Sequence, residues 1–410
     1  MSVGIESINF YGGRTVLDIR SLFEARQLDL RRFDNLMLQR KSVALPCEDA
    51  VSLAVNAAKP LIDALSAEDR ARIEMVVVGS ESGVDFGKSM STYVHHYLGL
   101  GRTCRLFEVK QACYGATAAL QMAVGFVASQ ASPGAKVLVI GTDIGRATIR
   151  GSYVEPSQGA GAVAMIVSDN PEIFELDFGA NGYHGYEVMD TCRPAPDIET
   201  GDSDLSLIAY LDCLEHSFAE YARRVQGADF IETFDYLAFH TPFPGMVKGA
   251  HRMLLRKLKG AAPAVADADF TRRVTPSLRY CTEIGNIYSA TVYLALCGLI
   301  DHADLSQPRR IGLFSYGSGC CGEFFSGVAG PQSQAKLRAL RREDSLRDRY
   351  ALSLPEYELL LDAAMEWLFG IKDKEVDLSA YRTIYDQAMA GRGLLVLKRI
   401  SGYHREYVWS

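Results

Sequence analysis

Apolar, β-branched runs alternate along this chain with longer stretches of helical periodicity. The apolar runs cover 75–78, 137–140, 162–167, 236–239 and 311–314. The helical stretches lie near 114–130, 205–224, 245–259 and 286–300. Strands that are apolar throughout and are separated by helices form a mostly parallel sheet covered on both faces. The pattern therefore predicts an α/β fold.

The two halves of the chain have the same organisation. In each, apolar strands end in a polar or glycine-rich turn, as at 79–83 and at 315–319. Ligands of such sheets bind beyond the carboxyl ends of the strands. We therefore expect two similar halves, 1–168 and 169–410, with the active site between them. No Pro/Ser/Gly-rich linker separates the halves, so they are not expected to be independent units.

Composition excludes several classes of protein. The 410 residues carry a formal net charge of −7, which is not the basic balance of a nucleic-acid-binding protein. No apolar run approaches the roughly 20 residues of a membrane-spanning helix. Nine cysteines without paired spacing, and no secretory leader, predict a reducing, cytoplasmic location. No His/Cys spacing typical of a metal site occurs, so no metal is expected.

Cys113 is the first candidate for chemistry. It stands where an apolar run, 106–109, gives way to an alanine-rich helical stretch. The unpaired N–H groups of a first helical turn favour a thiolate, which is the nucleophile that accepts an acyl group from a thioester. The alternative is that Cys113 is a buried packing residue, as most free cysteines are. The other eight cysteines have no comparable setting.

Three further residues follow strand ends and have the chemistry that an acyl-transfer enzyme needs. Glu81 is a candidate general acid/base, His240 can polarise or protonate a carbonyl oxygen, and Asn286 can donate to an acyl oxygen. The glycine-rich turn 317–319 can supply an oxyanion-hole N–H. Each has a structural alternative: a helix cap for Glu81 and Asn286, a structural imidazole for His240, and a plain tight turn for the glycines.

Together with their neighbours, these residues make the sequence resemble the 3-hydroxy-3-methylglutaryl-coenzyme A (HMG-CoA) synthase family of the thiolase superfamily, over nearly its whole length. The resemblance implies a duplicated thiolase fold with α-β-α-β-α layers, and an acyltransferase that joins carbon to carbon. The matching stretches are 4–11, 24–27, 81–85, 112–117, 155–165, 239–243, 285–288 and 315–319.

The resemblance also implies roles for individual residues. Cys113 is acylated by the donor thioester, and Glu81 serves as acid/base in enolate formation and aldol addition. His240 and Asn286 position the acceptor, and Ser318 offers an oxyanion-hole N–H. Tyr288 is expected at the substrate, and Tyr153, Met189 and Tyr288 are expected to limit acceptor size. No bound cofactor is implied; the phosphopantetheine arm of an acyl-carrier protein, or coenzyme A, carries the substrate.

Departures from the isoprenoid branch of the family point to its polyketide branch. Isoprenoid enzymes carry a Gly-x-Gly-Gln turn where this chain has 36–41, and usually a lysine where it has Gly245. The stretches 42–46, 151–157 and 239–251 resemble instead the enzymes of polyketide β-branching. Those relatives add the acetyl carbon of a donor carrier protein to the β-ketone of a polyketide on an acceptor carrier protein.

A basic stripe fits a carrier-protein partner. Lys248, Arg252, Arg256 and Lys259 recur at helical spacing, and 31–32 and 40–41 form a second basic cluster. The alternative is an ordinary solvated helix face. The functional interpretation is a face that docks an acidic carrier protein and its phosphate. The residues predicted to contact the carrier protein or its phosphopantetheine are Lys248, Arg252, Arg256, Arg32 and Arg40.

The sequence thus predicts a cytoplasmic, homodimeric condensing enzyme of secondary-metabolite biosynthesis that uses donor and acceptor carrier proteins and neither nucleic acid nor membrane. The alternative is the HMG-CoA synthase of the mevalonate pathway, with acetyl-CoA and acetoacetyl-CoA. A decarboxylating ketoacyl-synthase-III-like enzyme does not suit Glu81 and the His240 context. A non-catalytic carrier-protein scaffold needs none of the four residues. The identity of the polyketide, and acetyl versus propionyl as donor, stay open.

Overall fold

The computed structural model describes residues 2–145, 150–152, 154–195, 197–367 and 369–410. Its centre is a nine-stranded sheet in the order β11-β12-β13-β8-β1-β7-β6-β4-β5. These strands are β1 (Gly4–Tyr11), β4 (Ile73–Gly79), β5 (Arg105–Val109), β6 (Lys136–Ile144), β7 (Ala160–Ser168), β8 (Phe174–Gly185), β11 (Tyr236–Phe239), β12 (Arg309–Gly317) and β13 (Cys321–Ala329).

Strand order and direction repeat within this sheet. In one set β4 runs parallel to β6, and β7 lies antiparallel between β6 and β1. In the other set β11 runs parallel to β12, and β13 lies antiparallel between β12 and β8. The two sets join only through a short antiparallel pairing of β1 with β8, Gly4 opposite Glu175 and Ile5 opposite Phe174. The repetition is what a duplicated α/β unit produces.

Eight further strands form three small sheets. They are β2 (Thr15–Asp18), β3 (Arg40–Val43), β9 (Thr191–Ala195), β10 (Ile198–Gly201), β14 (Tyr350–Ala351), β15 (Lys374–Glu375), β16 (Leu395–Ser401) and β17 (His404–Trp409). Strand order is β14-β2-β3, β10-β9 and β15-β16-β17.

Helices cover both faces of the sheet. They are α1 (Ile19–Ala25), α2 (Leu30–Leu36), α3 (Ala50–Asp63), α4 (Ala67–Ala71), α5 (Ser91–Tyr97), α6 (Gly115–Ala128), α7 (Ser203–Arg224), α8 (Pro244–Lys259), α9 (Pro263–Arg273), α10 (Cys281–Ile284), α11 (Thr291–His302), α12 (Pro331–Ala339), α13 (Arg342–Arg347), α14 (Leu354–Ala364) and α15 (Arg382–Ala388). No helix in the described ranges is long and apolar enough to cross a membrane.

Alternate residues of the strands face different cores, which sets the layers. Val77 and Val139 pack with α6 and α11 in a central core that also takes Leu313 from the second strand set. Their neighbours Val78 and Leu138 pack on the opposite face against α3. The far face of the second set packs against α7 and α8. The order is therefore helix, strand, helix, strand, helix, as the resemblance implied.

The C-terminal segment packs on the first half of the chain. Strand β14 pairs with β2, and Leu395 and Leu397 of β16 join the core around α3. Leu360 and Leu361 of α14 join Leu17 and Leu45 in a separate cluster. Residues from 350 onward thus cover elements of the first 65 residues. The division of the chain at 168/169 stays a prediction.

Strand β4 ends in contact with the first turn of α6. A Cβ on Gly79 would overlap the backbone of Gly115 and Ala116. Only a glycine permits this approach, and it draws the segment after β4 towards the residues that precede α6. Those two segments carry Glu81 and Cys113.

Gly79→Ala should lower the stability of the protein by about 1–3 kcal/mol, because the methyl group has to push α6 away from β4. The matched control is Gly125→Ala, where an added Cβ in the same helix meets no atom within 4 Å. Removing that exposed helical glycine should be neutral or stabilise by up to about 1 kcal/mol. Thermal unfolding followed by circular dichroism measures both. An unchanged midpoint for Gly79→Ala would contradict the packing argument.

Candidate active site

Cys113 lies in the short connection between β5 and α6. Ala112, just before it, has a positive φ of 42°, a conformation that is unusual for a residue with a side chain. The Cys113 thiol donates a hydrogen bond to Oε1 of Glu81 at 3.2 Å. The nucleophile and base predicted from the sequence are therefore in direct contact, although they are 32 residues apart.

The resting state of Cys113 differs from the sequence expectation. Burial, followed by the charge of Glu81 and the hydrogen bond to it, raises the pKa of the Cys113 thiol well above its ordinary value. The helix N-terminus does not outweigh these effects, so the thiol is protonated at rest. The Glu81 carboxylate is the group that accepts its hydrogen bond.

Arg193 is the cation of the site, and sequence analysis did not select it. Its guanidinium lies 3.4 Å from Oε2 of Glu81 and 3.1 Å from Oε2 of Glu199. Burial lowers the pKa of Arg193, but the charges of Glu81, Tyr288 and Glu199 together hold it well above its ordinary value. Arg193 lies on β9 beside Pro194, outside the stretches from which the site was predicted.

Asp143 holds the segment that carries Glu81. It is fully buried at the end of β6, and its Oδ1 accepts from the Ser80 hydroxyl and the Glu81 backbone N–H. Its Oδ2 accepts from the backbone N–H and hydroxyl of Ser289. Burial and the nearby Glu81 carboxylate raise the pKa of Asp143. Sequence analysis took residues 141–143 only as a strand end, so this anchor was missed.

His240 follows β11 and is almost completely buried. Its backbone N–H donates to Phe314 of β12 at 2.7 Å, and its carbonyl accepts from the Tyr210 hydroxyl at 2.8 Å. Nδ1 has no hydrogen-bond partner among the described residues. Burial lowers the pKa of His240 to about 3, so the imidazole is neutral and carries one N–H. It can donate to an oxygen without bringing a charge.

Asn286 and Tyr288 lie between the two strand sets. Oδ1 of Asn286 accepts from the Tyr288 N–H and the Thr291 hydroxyl, at 2.9 and 2.8 Å, so the amide NH₂ points the other way. The buried Tyr288 ring lies 4.8 Å from the Arg193 guanidinium. The predicted helix from 287 begins with a 3₁₀ turn, Tyr288–Ala290, before α11. Asn286 therefore forms an Asx turn with Tyr288 and is the N-cap residue of neither the 3₁₀ turn nor α11.

The glycine-rich turn approaches Cys113 from the second strand set. The Gln111 side-chain amide donates to the Ser318 carbonyl at 3.3 Å, and the Gly319 N–H donates to Asp190 at 2.8 Å. Beside the nucleophile, the Tyr114 hydroxyl donates to Glu323, which Asn181 also contacts. The Ser318 carbonyl is therefore hydrogen-bonded to Gln111, two residues before Cys113. Met189 is exposed, and Tyr153 lies outside the described residues.

The predicted basic stripe is largely neutralised within the chain. Lys248 and Arg252 both face Asp267, at 3.7 and 2.6 Å, and Lys259 pairs with Asp229. Exposed Arg256 has no ion-pair partner among the described residues.

The second basic cluster separates into surface and interior. Arg32 and Arg40 are exposed, with Arg40 3.4 Å from Glu283. Lys41 is buried and donates to the Glu155 carbonyl, and burial lowers its pKa to about 8. Lys41 is therefore a structural residue. Helix α2, which carries Arg32, packs against α8.

Comparison with known proteins identifies the relatives of this arrangement. Residues 1–172 match the family described as hydroxymethylglutaryl-coenzyme A synthase N terminal, and residues 253–364 match its C-terminal counterpart. The polyketide biosynthesis 3-hydroxy-3-methylglutaryl-ACP synthase PksG of Bacillus subtilis is 53% identical, over 100% of this chain and 99% of its own length. A hydroxymethylglutaryl-CoA synthase of Enterococcus faecalis is 36% identical over 89% of this chain and 93% of its own.

The solved structures agree with the sequences. The HMG synthase of the curacin biosynthetic pathway superimposes with a TM-score of 0.97 at 56% identity, and each chain is fully covered. That protein has also been solved with apo, holo and acetyl donor-ACP.

Glu81→Gln should shift the alkylation of Cys113 to lower pH by about 1 unit or more, because removing an adjacent negative charge lowers the pKa of a thiol. The pH dependence of iodoacetamide labelling at Cys113, read by peptide mass spectrometry, measures the shift. Glu199→Gln is the control, since it removes a carboxylate that contacts the far side of Arg193. A Glu81→Gln profile that is unchanged or moves to higher pH would contradict the assignment.

Proposed function

The chain belongs to the hydroxymethylglutaryl-coenzyme A synthase family and is a condensing enzyme of polyketide β-branching, and we propose that Cys113 and Glu81 perform its chemistry. The family, the duplicated thiolase fold and the reaction type predicted from the sequence are confirmed. The observation that carries the residue assignment is the 3.2 Å hydrogen bond from the Cys113 thiol to Glu81.

The first step is transfer of an acetyl group to Cys113. Glu81 takes the thiol proton, and Sγ attacks the carbonyl carbon of the donor thioester. The bond from that carbon to the carrier sulfur breaks, and the carrier leaves as a thiol with the proton from Glu81. A resting thiol with an adjacent base suits this step, since the thiolate exists only when a donor is present.

The second step makes the carbon–carbon bond. Glu81, again ionised, removes a methyl proton from the acetyl-cysteine, and the enolate carbon attacks the β-ketone of the acceptor. The Glu81 carboxylic acid then returns the proton that it removed, and the ketone oxygen becomes a hydroxyl. The Arg193 guanidinium lies beside the Glu81 carboxylate, and Asp143 holds the Glu81 backbone next to Cys113.

Neutral donors stabilise the oxygen atoms that gain charge. We assign the His240 N–H and the Asn286 amide to the acceptor, and the backbone N–H of Ser318 to the thioester oxygen. Tyr288, packed on Arg193, borders the same space. A neutral imidazole can donate its N–H to a developing alkoxide without adding a charge to the site. Water finally hydrolyses the Cys113 thioester and frees a 3-hydroxy-3-carboxymethyl-acyl product.

The carrier of the donor is proposed to be an acyl-carrier protein, with its phosphopantetheine arm entering the site. The curacin relative was solved with an acetyl donor-ACP, and PksG is named an HMG-ACP synthase. Gly245 supports this choice over free coenzyme A. A Cβ there would overlap the carbonyl of Asn35 at the end of α2, so the lysine usual in the isoprenoid branch cannot fit.

The docking face for the carrier protein is proposed to consist of Lys248, Arg252 and Arg256 on α8, Arg32 on α2 and Arg40 on β3. Its support is that α2 and α8 pack together, which places basic residues from distant parts of the sequence side by side. Because Lys248 and Arg252 share Asp267, Arg256 is the residue of α8 most available to an acidic partner.

An acceptor carrier protein and a second copy of the chain complete the proposed assembly. The support for a homodimer is β5, the edge strand of the large sheet, which presents partly buried Leu106, Phe107 and Val109 along an edge that pairs only with β4 among the described residues. An apolar edge of this kind pairs with another chain. The nine cysteines are free, which fits a reducing cytoplasm.

Incubation with acetyl donor carrier protein should add an acetyl group of about 42 Da to Cys113, and Cys113→Ala should remove that adduct. Glu81→Gln should still form the adduct but condense it with acceptor about 100-fold to 10,000-fold more slowly, because the acid/base group is missing. Intact-protein and peptide mass spectrometry separate the two steps.

The control for this experiment is Cys104→Ala, which changes a cysteine at the opposite end of β5 and should keep both adduct and condensation. An acetyl adduct that persists on Cys113→Ala, or condensation by Glu81→Gln at the wild-type rate, would refute the proposed roles.

Arg256→Glu should slow acetyl transfer from the carrier protein by about fivefold or more at low ionic strength, because complementary charge speeds encounter. Transfer from acetyl-CoA should be unchanged. The matched control is Arg102→Glu, another exposed arginine without an ion pair among the described residues, located in the bend that precedes β5. Rapid-quench experiments at several salt concentrations measure the rate of acetyl transfer from each donor. Equal slowing with both donors would remove the docking assignment.

A further inference from the structure

We propose that His184, Asp212 and His216 bind a divalent transition-metal ion, with zinc as the first choice, on the outer face of the second half. One ligand atom from each residue lies within 4.8 Å of the other two. Sequence analysis predicted no metal because these residues have no recognised spacing. The fold brings them together, and none of them touches Cys113 or Glu81 in the contacts described above.

Two packed elements create the cluster. His184 is the penultimate residue of β8, and Asp212 and His216 stand one turn apart on the same face of α7, which packs against β8. Oδ2 of Asp212 lies 3.2 Å from Nε2 of His184, and its Oδ1 lies 3.3 Å from Nε2 of His216. The two imidazole rings are 4.7 Å apart between centroids.

These separations suit zinc. Zinc–nitrogen and zinc–oxygen bonds of about 2.0–2.1 Å in a tetrahedral site hold ligand atoms about 3.3 Å apart. Nε2 of each histidine already lies at this distance from a different oxygen of Asp212, and small rotations of the side chains bring both nitrogens around one ion. The side chains are 33%, 37% and 50% exposed, so water can reach the fourth position. Two imidazoles and one carboxylate favour zinc over magnesium or calcium.

The alternative is a pair of histidine–aspartate ion pairs without metal. Each imidazole then has to carry a proton on the nitrogen that faces Asp212, and both protons converge on one carboxylate. A divalent cation satisfies the same three atoms with all of them in their acceptor state. The two cases differ in whether the cluster takes up metal.

The position gives the ion a structural consequence. Beyond His184, Tyr186 exchanges backbone hydrogen bonds with Cys320, and the Val188 N–H donates to Gly319 at 2.8 Å. An ion bound by these residues therefore links α7 to β8. The segment that follows β8 is hydrogen-bonded to the turn that contains Ser318. Metal binding should raise the thermal stability of the protein, since it acts on the folded state only.

The test titrates zinc, by calorimetry, into protein freed of metal with a chelator, and records visible spectra with cobalt(II). We expect one saturable site per chain and a higher melting midpoint with zinc. Loss of a residue that only hydrogen-bonds a metal ligand weakens metal binding by about 10–100-fold. His216→Gln and Asp212→Asn each remove a ligand itself and should weaken zinc binding by at least this factor. The control is His302→Gln, because His302 faces Glu343 at 2.8 Å without a third ligand.

Cobalt also separates this cluster from the nine free thiols. Imidazole and carboxylate ligands give d–d absorption alone, whereas thiolates add an intense charge-transfer band. The absence of saturable binding, a thiolate band in the wild type, or full affinity in His216→Gln would each overturn the proposal. Binding that is lost in His216→Gln and kept in His302→Gln would establish it.

Discussion

The contact between the end of β4 and the first turn of α6 determines how Glu81 and Cys113 meet. Gly79 has no side chain, so the β4 backbone meets the α6 backbone directly. Glu81 therefore leaves the strand beside Cys113, close enough for the thiol to donate to it at 3.2 Å. Asp143 then holds the Glu81 backbone from the next strand. The reactive pair thus depends on packing between main chains, which no local motif encodes.

The charges of the site suit the two proton transfers that we propose for Glu81. Glu81 is the only carboxylate that the described contacts place against the thiol, and its charge, after burial, raises the pKa of Cys113. A permanent thiolate next to an ionised Glu81 would place two negative charges in a buried space, at a high electrostatic cost. A protonated thiol avoids this cost and releases its proton only as a thioester is attacked. Arg193 lies against both Glu81 and Glu199 and offsets their negative charge.

The sequence was sufficient for the elements and insufficient for the polar network. Apolar runs located six of the nine strands of the large sheet, because strands covered on both faces are apolar throughout. The prediction of a mostly parallel sheet was wrong, since five of the eight strand pairings are antiparallel. Motifs located Cys113, Glu81 and His240, each of which follows a strand, and Asn286, which follows the short helix α10. Arg193 lies on β9, in a two-stranded sheet outside the main pattern, and its role depends on contacts with residues up to 112 positions away. Such contacts follow from tertiary packing and have no local signal.

Some motif residues proved to be structural. Arg26 and Glu155, which lie in two of the matching stretches, form a buried pair with two hydrogen bonds of 2.9 and 2.8 Å. Lys41, grouped in the sequence with surface arginines, lies in the same interior cluster and donates to the Glu155 carbonyl. Charge in a sequence therefore does not distinguish a docking residue from a core ion pair. Only burial separates Lys41 from its neighbour Arg40.

The proposed preference for a carrier protein over coenzyme A rests on the junction of α2 and α8. With glycine at 245, the main chain of α2 closes onto the start of α8, and a cationic side chain cannot project there. The positive charge of the region is instead spread over exposed side chains on both helices, several of them already paired with aspartates. Basic side chains that are paired with aspartates produce a weak, broad positive potential. They do not form a tight binding pocket for a phosphate group. Such a surface favours a large acidic partner with many weak contacts over a small nucleotide that needs a few strong ones.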